Sequence, residues 1–269
     1  MWKTHAVSCK ISFVTKQIDL IDYLFEEQPR RSELERLAGE LLLWMETSTR
    51  FTGFVETYRD KIRKKIRVSR DAESVLDLRS ELETARGLLD DRRFSVTYEP
   101  YASAKIRGPD FGVTYRQNQV FNVEVARLRK EERILRILLD KLGQMQPGMA
   151  NLLVIHTPAA LAQTIDLDQI MRSIKNRAEA RDPSFYAASR YTGPAPFYKD
   201  FLHLSGIFLW VSAPEAAGQL WVNKQSRPAL DRKILQTVSS LPSGVPRSGS
   251  PISSPEQAQL QTGSIKPKS

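Results

Sequence analysis

Along residues 31–66 the apolar positions Leu34, Leu37, Leu41, Leu42, Met45, Phe54 and Tyr58 return at helical spacing with charges between them, which predicts an N-terminal helical region, two helices broken near TSTRFTG. Residues 71–90 carry a second stripe, Leu78, Leu82, Ala85 and Leu89, that closes on the polar run DDRR. There the period changes. FSVTYEP, DFGVTYR and VFNVEVA alternate or are rich in β-branched residues, with Gly, Pro and Asn between them, and so predict three strands in a meander. Helical spacing resumes over 127–145 through Leu128, Ile134, Leu135, Ile137, Leu138 and Leu142. NLLVIHT then forms a continuous apolar run of strand length, the pattern of a strand buried on both faces. The order helix, three strands, helix, strand predicts an α/β fold in which a mixed β-sheet is flanked by helices.

Further along, DLDQIMRSIKNRAEA predicts a capped helix, FLHLSGIFLWVS and GQLWVNK predict strands, and RYTGPAPFYKDF predicts a loop with aromatic anchors. From Ser239 onward Ser, Pro, Gly and Gln dominate, and apolar residues are too sparse to offset the entropy of ordering, which predicts a disordered tail. The chain is therefore expected to divide into an N-terminal helical region with a basic segment (1–70), an α/β domain (71–238) and a tail (239–269). Composition changes the picture in one respect: a formal charge of +9 favours an anionic partner, nucleic acid ahead of a membrane surface. As a separate expectation, DNA is placed ahead of RNA. A single cysteine, Cys9, excludes an internal disulfide framework and suits a reducing compartment. LSGIFLWVSA, the greasiest later run, is too short to span a bilayer, so a soluble cytoplasmic protein with no membrane partner is expected.

The candidate chemistry lies in GPDFGVTYRQNQVFNVEVARLR. Asp110 and Glu124 fall on two adjacent predicted strands, and Glu124 shares a face with Asn122 and Ala126 while Val123 and Val125 point the other way. A hard cation such as Mg2+ uses one or two carboxylates together with water and phosphate oxygens, which this pair can supply if the strands meet. On the preceding helix Glu81 borders the Leu78, Leu82, Ala85 and Leu89 stripe, whereas Glu83 is expected to turn toward solvent, so Glu81 is the third acid able to face the sheet.

SELETARGLL, FSVTYEP, GPDFGVTYR and FNVEVARLR, taken in that order, resemble the core of the PD-(D/E)xK nuclease superfamily over roughly residues 75–157. The resemblance implies a restriction-endonuclease-like α/β sandwich in which Glu81, Asp110 and Glu124 hold Mg2+ or Mn2+. It also implies a lysine two positions after the last acid that positions and activates water, and here that position is Ala126. A positive charge beside the reacting phosphate offsets the negative charge that builds in the transition state, and alanine supplies none. Some divergent members of the superfamily bring an equivalent lysine from a neighbouring helix. Lys141, in DKLGQMQPG, ranks first for that role, with Lys105 as another candidate. Arg127 is less apt, because strand alternation sends it to the opposite face from Glu124.

YRDKIRKKIRVSR adds Lys61, Arg63, Lys64, Lys65, Arg67 and Arg70 around Ile62 and Ile66, a helix whose basic residues are expected to face phosphates. His5, His156 and His203 show no zinc spacing and no triad, and His156 reads as a structural residue. No Gly-rich phosphate loop is present, which argues against a nucleotide-hydrolysing enzyme. Trp210, Trp221, Phe208 and Tyr191 read as core ahead of base-stacking surfaces. The expected function is a divergent metal-dependent nuclease, Mg2+-assisted, cutting DNA or RNA. The alternative is a catalytically inactive protein of the same fold acting as a nucleic-acid-binding or protein-interaction module, and a third reading has the Leu34, Leu41, Leu42 and Met45 stripe forming a homodimer.

Overall fold

Six strands form one mixed sheet in the order β1-β2-β3-β4-β5-β6, and β3 (Gln119–Arg127) is where its character changes. The computed structural model describes residues 15–26, 28, 31–102, 108–129, 134–187, 189–213 and 218–241. β1 (Phe94–Tyr98), β2 (Phe111–Tyr115) and β3 make the expected antiparallel meander. α6 (Ile134–Leu142) then carries the chain across to β4 (Ala150–Thr157), which is parallel to β3 and buried at every position. β5 (Leu204–Val211) extends the sheet in parallel, and β6 (Gln219–Val222) closes it antiparallel.

Alternation divides the strand side chains between two cores. Phe111, Val113, Phe121, Val123, Val125, Leu152 and Val154 face α5 (Ala72–Asp90), while Leu153, Ile155, Ile207 and Leu209 face α6 and α8 (Leu167–Glu179). α5 starts sharply because Asp71 accepts from the Ser74 N–H at 2.7 Å while the Ser74 hydroxyl returns the favour to the Asp71 N–H, a reciprocal cap. Behind α5 lie α2 (Ser32–Thr47), α3 (Thr49–Thr57) and α4 (Arg59–Val68), preceded by α1, described over 15–25.

Several expectations are corrected here. The N-terminal region breaks at Ser48, whose side chain caps α3, and again at Tyr58, so three helices stand where two were expected between residues 32 and 68. Leu34, Leu37, Leu41, Trp44 and Met45 of this region lie in the same core as Val75, Leu78 and the β2–β3 face. The stripe expected to form a homodimer is thus spent inside the chain, with Leu34, Leu41 and Met45 buried, because α5 needs covering on the side away from the sheet. That sandwiching also overturns the expectation for Glu83. It is buried between α5 and β4 and paired with Arg79 at 2.8 Å, not turned to solvent.

The expected loop RYTGPAPFYKDF contains α10 (Pro194–Phe201). Pro194 opens its first turn, where a missing N–H costs nothing, and Phe197 and Phe201 bury one turn apart. α11 (Arg232–Ser239) follows β6 and was not expected; Asp231 caps it, and Ile234 and Val238 bury. Trp210, Phe208 and Tyr191 are core, and Trp221 packs against it. The expected tail beyond Leu241 lies outside the described residues. Among the described residues no helix is long and apolar enough to cross a membrane.

Candidate active site at the fork between β2 and β3

Pairing between β2 and β3 stops at Phe111 opposite Val123, yet β3 continues to Arg127 beside β4. The sequence dictates this fork. Pro109 has no N–H to give to a ladder and fixes its own φ, so β2 cannot extend backwards past Asp110. Asp110 closes the open end: its carbonyl accepts from the Glu99 N–H at 2.7 Å, and its Oδ2 accepts at 2.8 Å from the Val125 N–H, which β2 no longer reaches. The carboxyl group is thereby held beside Glu124.

Glu124 is buried on the α6 side of β3. Lys141 of α6 donates to its Oε1 at 2.5 Å, and its Oε2 is buried with no hydrogen-bond partner. Ala126, on the same side of β3, lines a cleft together with Lys141 of α6. Glu81 of α5 accepts through Oε2 from Lys65 of α4 at 2.6 Å and from the Tyr98 hydroxyl at 2.7 Å. Lys65 also pairs with Glu99 Oε1 at 3.2 Å and lies 4.8 Å from the centre of the Tyr98 ring. Of the sequence-predicted residues, Glu124 and Lys141 are thus in contact and Asp110 is held on the strand beside Glu124, whereas Glu81 sits in its own pair with Lys65, close enough to feel the Asp110 charge but not part of a three-acid group.

Burial dominates the electrostatics of these residues. Glu81 is pushed up to about 7, first by burial and then by the charge of Asp110, with Lys65 and Tyr98 pulling the other way. Asp110 and Glu124 titrate as a pair. Burial raises both; Asp110 is raised further by the Glu124 charge, while Lys141 offsets part of each shift. Burial works against the Lys65 and Lys141 ammonium groups as well, but the neighbouring carboxylates outweigh it, and both are held above the usual lysine value. Two cations therefore stabilise a set of acids that would otherwise repel one another.

A cleft of about 300 Å³ beside these residues is lined by Glu81, Ala126, Lys141, Asp140, Asp77 and Arg127 among others, while Asp110 and Glu124 lie beneath its wall and do not line it. Arg127 turns away from Glu124, as alternation requires, and pairs with Asp77 at 3.0 Å and Glu73 at 2.5 Å; Arg129 pairs with Asp77 at 2.9 Å. Among the described residues no group of three or more His, Cys, Asp or Glu side chains is arranged as a ready-made metal cage. Lys65 and Tyr98 already take one oxygen of Glu81, and Lys141 takes one of Glu124. A magnesium site does not require such a cage, since one or two carboxylates suffice when water and phosphate complete the shell. The Oε2 of Glu124 beside Asp110 is the one buried carboxylate oxygen here, among those of Glu81, Asp110 and Glu124, with no hydrogen-bond partner, and so is left over for such an ion.

The basic segment is less of a phosphate-facing surface than its sequence suggests. Lys61 donates to the Tyr98 carbonyl at 2.9 Å, Arg63 pairs with Glu26 at 2.6 Å and lies over the Tyr23 ring, and Lys65 enters the acidic cluster. Lys64, Arg67 and Arg70 stay exposed. Tyr98 and Glu99 were missed as site residues, and Lys65, expected to face phosphates, instead pairs with Glu81 and Glu99. The available signal was the spacing of Lys61 and Lys65, four apart along the flank of the Ile62 and Ile66 stripe. His156 is buried, shares a 2.7 Å hydrogen bond through Nε2 with the Thr84 hydroxyl and stacks on Trp210; burial pushes its pKa down to about 3, which fits a neutral structural residue. Lys105, Cys9 and His5 lie outside the described residues. No protein-family model, curated protein or solved structure matches the chain.

Proposed function

We propose that this protein is a divergent metal-dependent nuclease that hydrolyses phosphodiester bonds in DNA or RNA at the fork between β2 and β3. The observation that carries the reading is the contact of Lys141 with Glu124, which brings an ammonium group to the acid whose strand lacks the motif lysine. The element order α5-β1-β2-β3-α6-β4 supports the resemblance to the restriction-endonuclease-like core.

In this reading Asp110 and the free oxygen of Glu124 hold Mg2+ or Mn2+, with Glu81 completing the acidic wall. A divalent ion supplies charge neutralisation of the phosphate and activation of water. The chain supplies the rest. Asp110 is oriented by the Val125 N–H, Glu124 is fixed by Lys141, and the Lys141 ammonium, at the cleft wall, stabilises negative charge developing on the phosphate.

The test is cleavage of single-stranded DNA, duplex DNA and RNA with Mg2+ or Mn2+ by the protein and by an Asp110→Ala, Glu124→Ala variant. The reading expects metal-dependent cutting that the variant loses; cutting that persists in the variant contradicts the site. The saturation of Glu81 Oε2 by Lys65 and Tyr98 favours a second reading, an inactive binding module, which retained nucleic-acid binding without any cleavage would support.

A further inference from the structure

Glu81 lies midway along α5 and Glu99 directly follows β1, yet their oxygens converge on one point. That point is the Lys65 ammonium, 2.6 Å from Glu81 Oε2 and 3.2 Å from Glu99 Oε1. Tyr98 completes the pocket, donating its hydroxyl to the same Glu81 oxygen at 2.7 Å and presenting its ring to Lys65. Glu99 holds φ at +47°, the left-handed region that a residue with a side chain seldom adopts. Its backbone N–H at the same time anchors the Asp110 carbonyl. The chain keeps this strained conformation where it presents a carboxylate to Lys65 and fixes Asp110 in one stroke.

We propose that Lys65 is a built-in second cation of the site. Its ammonium occupies the position between Glu81 and Glu99 that a second divalent ion would need, so the protein takes a single divalent ion, at Asp110 and the unpartnered Glu124 Oε2. The inference rests on the reading of the site as a metal-dependent nuclease, and it reassigns Glu81 from metal ligand to partner of Lys65. Enzymes that cut phosphodiesters with two metals place them roughly 3.5–4 Å apart, one charge serving the attacking oxygen and one the leaving oxygen. Here a tethered ammonium supplies one of the two charges.

The charge balance agrees. Four carboxylates, Glu81, Glu99, Asp110 and Glu124, face three ammonium groups, Lys65, Lys141 and Lys61, the last 3.8 Å from Glu99 Oε2. With all of them ionised the cluster carries one net negative charge. A single dication reverses that sign and leaves the cluster attractive to a phosphate. A second dication would have to expel Lys65 or lie against it, where repulsion between like charges in a partly buried site is strong.

The test is a calorimetric Mn2+ titration of the full chain without nucleic acid, each variant being checked by circular dichroism. The wild type takes one Mn2+ per chain. Lys65→Met frees Glu81 and Glu99 and takes two, while Lys65→Arg, which keeps the charge, takes one. Glu81→Gln, nearly isosteric, still takes one, with affinity within about threefold of wild type. Two ions in the wild type, one in Lys65→Met, or loss of binding in Glu81→Gln each overturn the inference and leave the nuclease reading standing. If Lys65→Met fails to fold, Glu81→Gln decides. No Mn2+ uptake by the wild type overturns the metal reading itself and this inference with it.

Discussion

Lys141 Nζ lies 2.5 Å from Glu124 Oε1, a contact between α6 and β3 that joins residues 17 apart in sequence. Both ends are shielded: the Glu124 side chain is 3% exposed and that of Lys141 25%. Removing either partner leaves a charge that water reaches poorly.

Lys141→Met is therefore expected to destabilise the protein by about 1–3 kcal/mol, less than the loss of a fully buried pair because Lys141 keeps some solvent. Cleavage should fall by roughly 100-fold or more, as when a transition-state donor is lost. Urea unfolding and single-turnover cleavage measure the two effects separately. Unchanged stability and unchanged cleavage together would show the contact to be idle.

The raised pKa of Glu81 predicts a pH dependence with a definite sign. In chelator, where no cation competes, the folded protein retains a proton on Glu81 that the unfolded chain has lost between the ordinary value of 4.5 and about 7. Stability from this group is therefore full below 4.5, falls as pH rises through that window, and levels off above about 7. His156 acts oppositely: its folded pKa of about 3 lies below the ordinary 6.5, so its contribution grows as pH rises from 3 to 6.5. Subtracting the unfolding profile of Glu81→Gln isolates the Glu81 share. The wild type should lose stability relative to the variant between pH 5 and 7, by up to ~3 kcal/mol. A difference that is flat or of opposite slope would refute the burial of this carboxyl group.

Gly87 of α5 lies against Trp210 of β5, and a methyl group there would run into the Trp210 ring. Gly87→Ala gains about 1 kcal/mol in helix propensity but must displace a fully buried indole. A net loss of about 1–3 kcal/mol is expected from thermal unfolding. Because α5 also carries Glu81, Mn2+ affinity measured on the folded variant reports whether the shift reaches the acidic cluster.

Much of this architecture was legible in the sequence because its signals are local. The alternation of FSVTY, FGVTY and VFNVEV predicted the meander, and the unbroken apolar run of β4 predicted its burial on both faces. Lys141 could be ranked because a lysine on the helix after β3 is one of few groups able to return to that strand. Glu83 was misjudged since a helix covered on two sides has no solvent face, and the second cover, α2 and α3, comes from sequence far upstream. Lys65 was read as part of a charge run for the same reason. Its partners Glu81 and Glu99 lie 16 and 34 residues away, and nothing within α4 distinguishes it from the exposed Lys64. α10 was read as a loop with aromatic anchors; Pro194 in fact stands in its first turn, where the absent N–H has no partner to lose.

The central claim is that Asp110 and Glu124 together hold one divalent ion, and the most direct measurement is anomalous diffraction from crystals soaked in Mn2+. The account predicts a single strong peak between the two carboxyl groups, roughly 2.0–2.2 Å from Glu124 Oε2. Crystals with no peak there, or with Mn2+ bound only at carboxylates elsewhere on the protein, would contradict it.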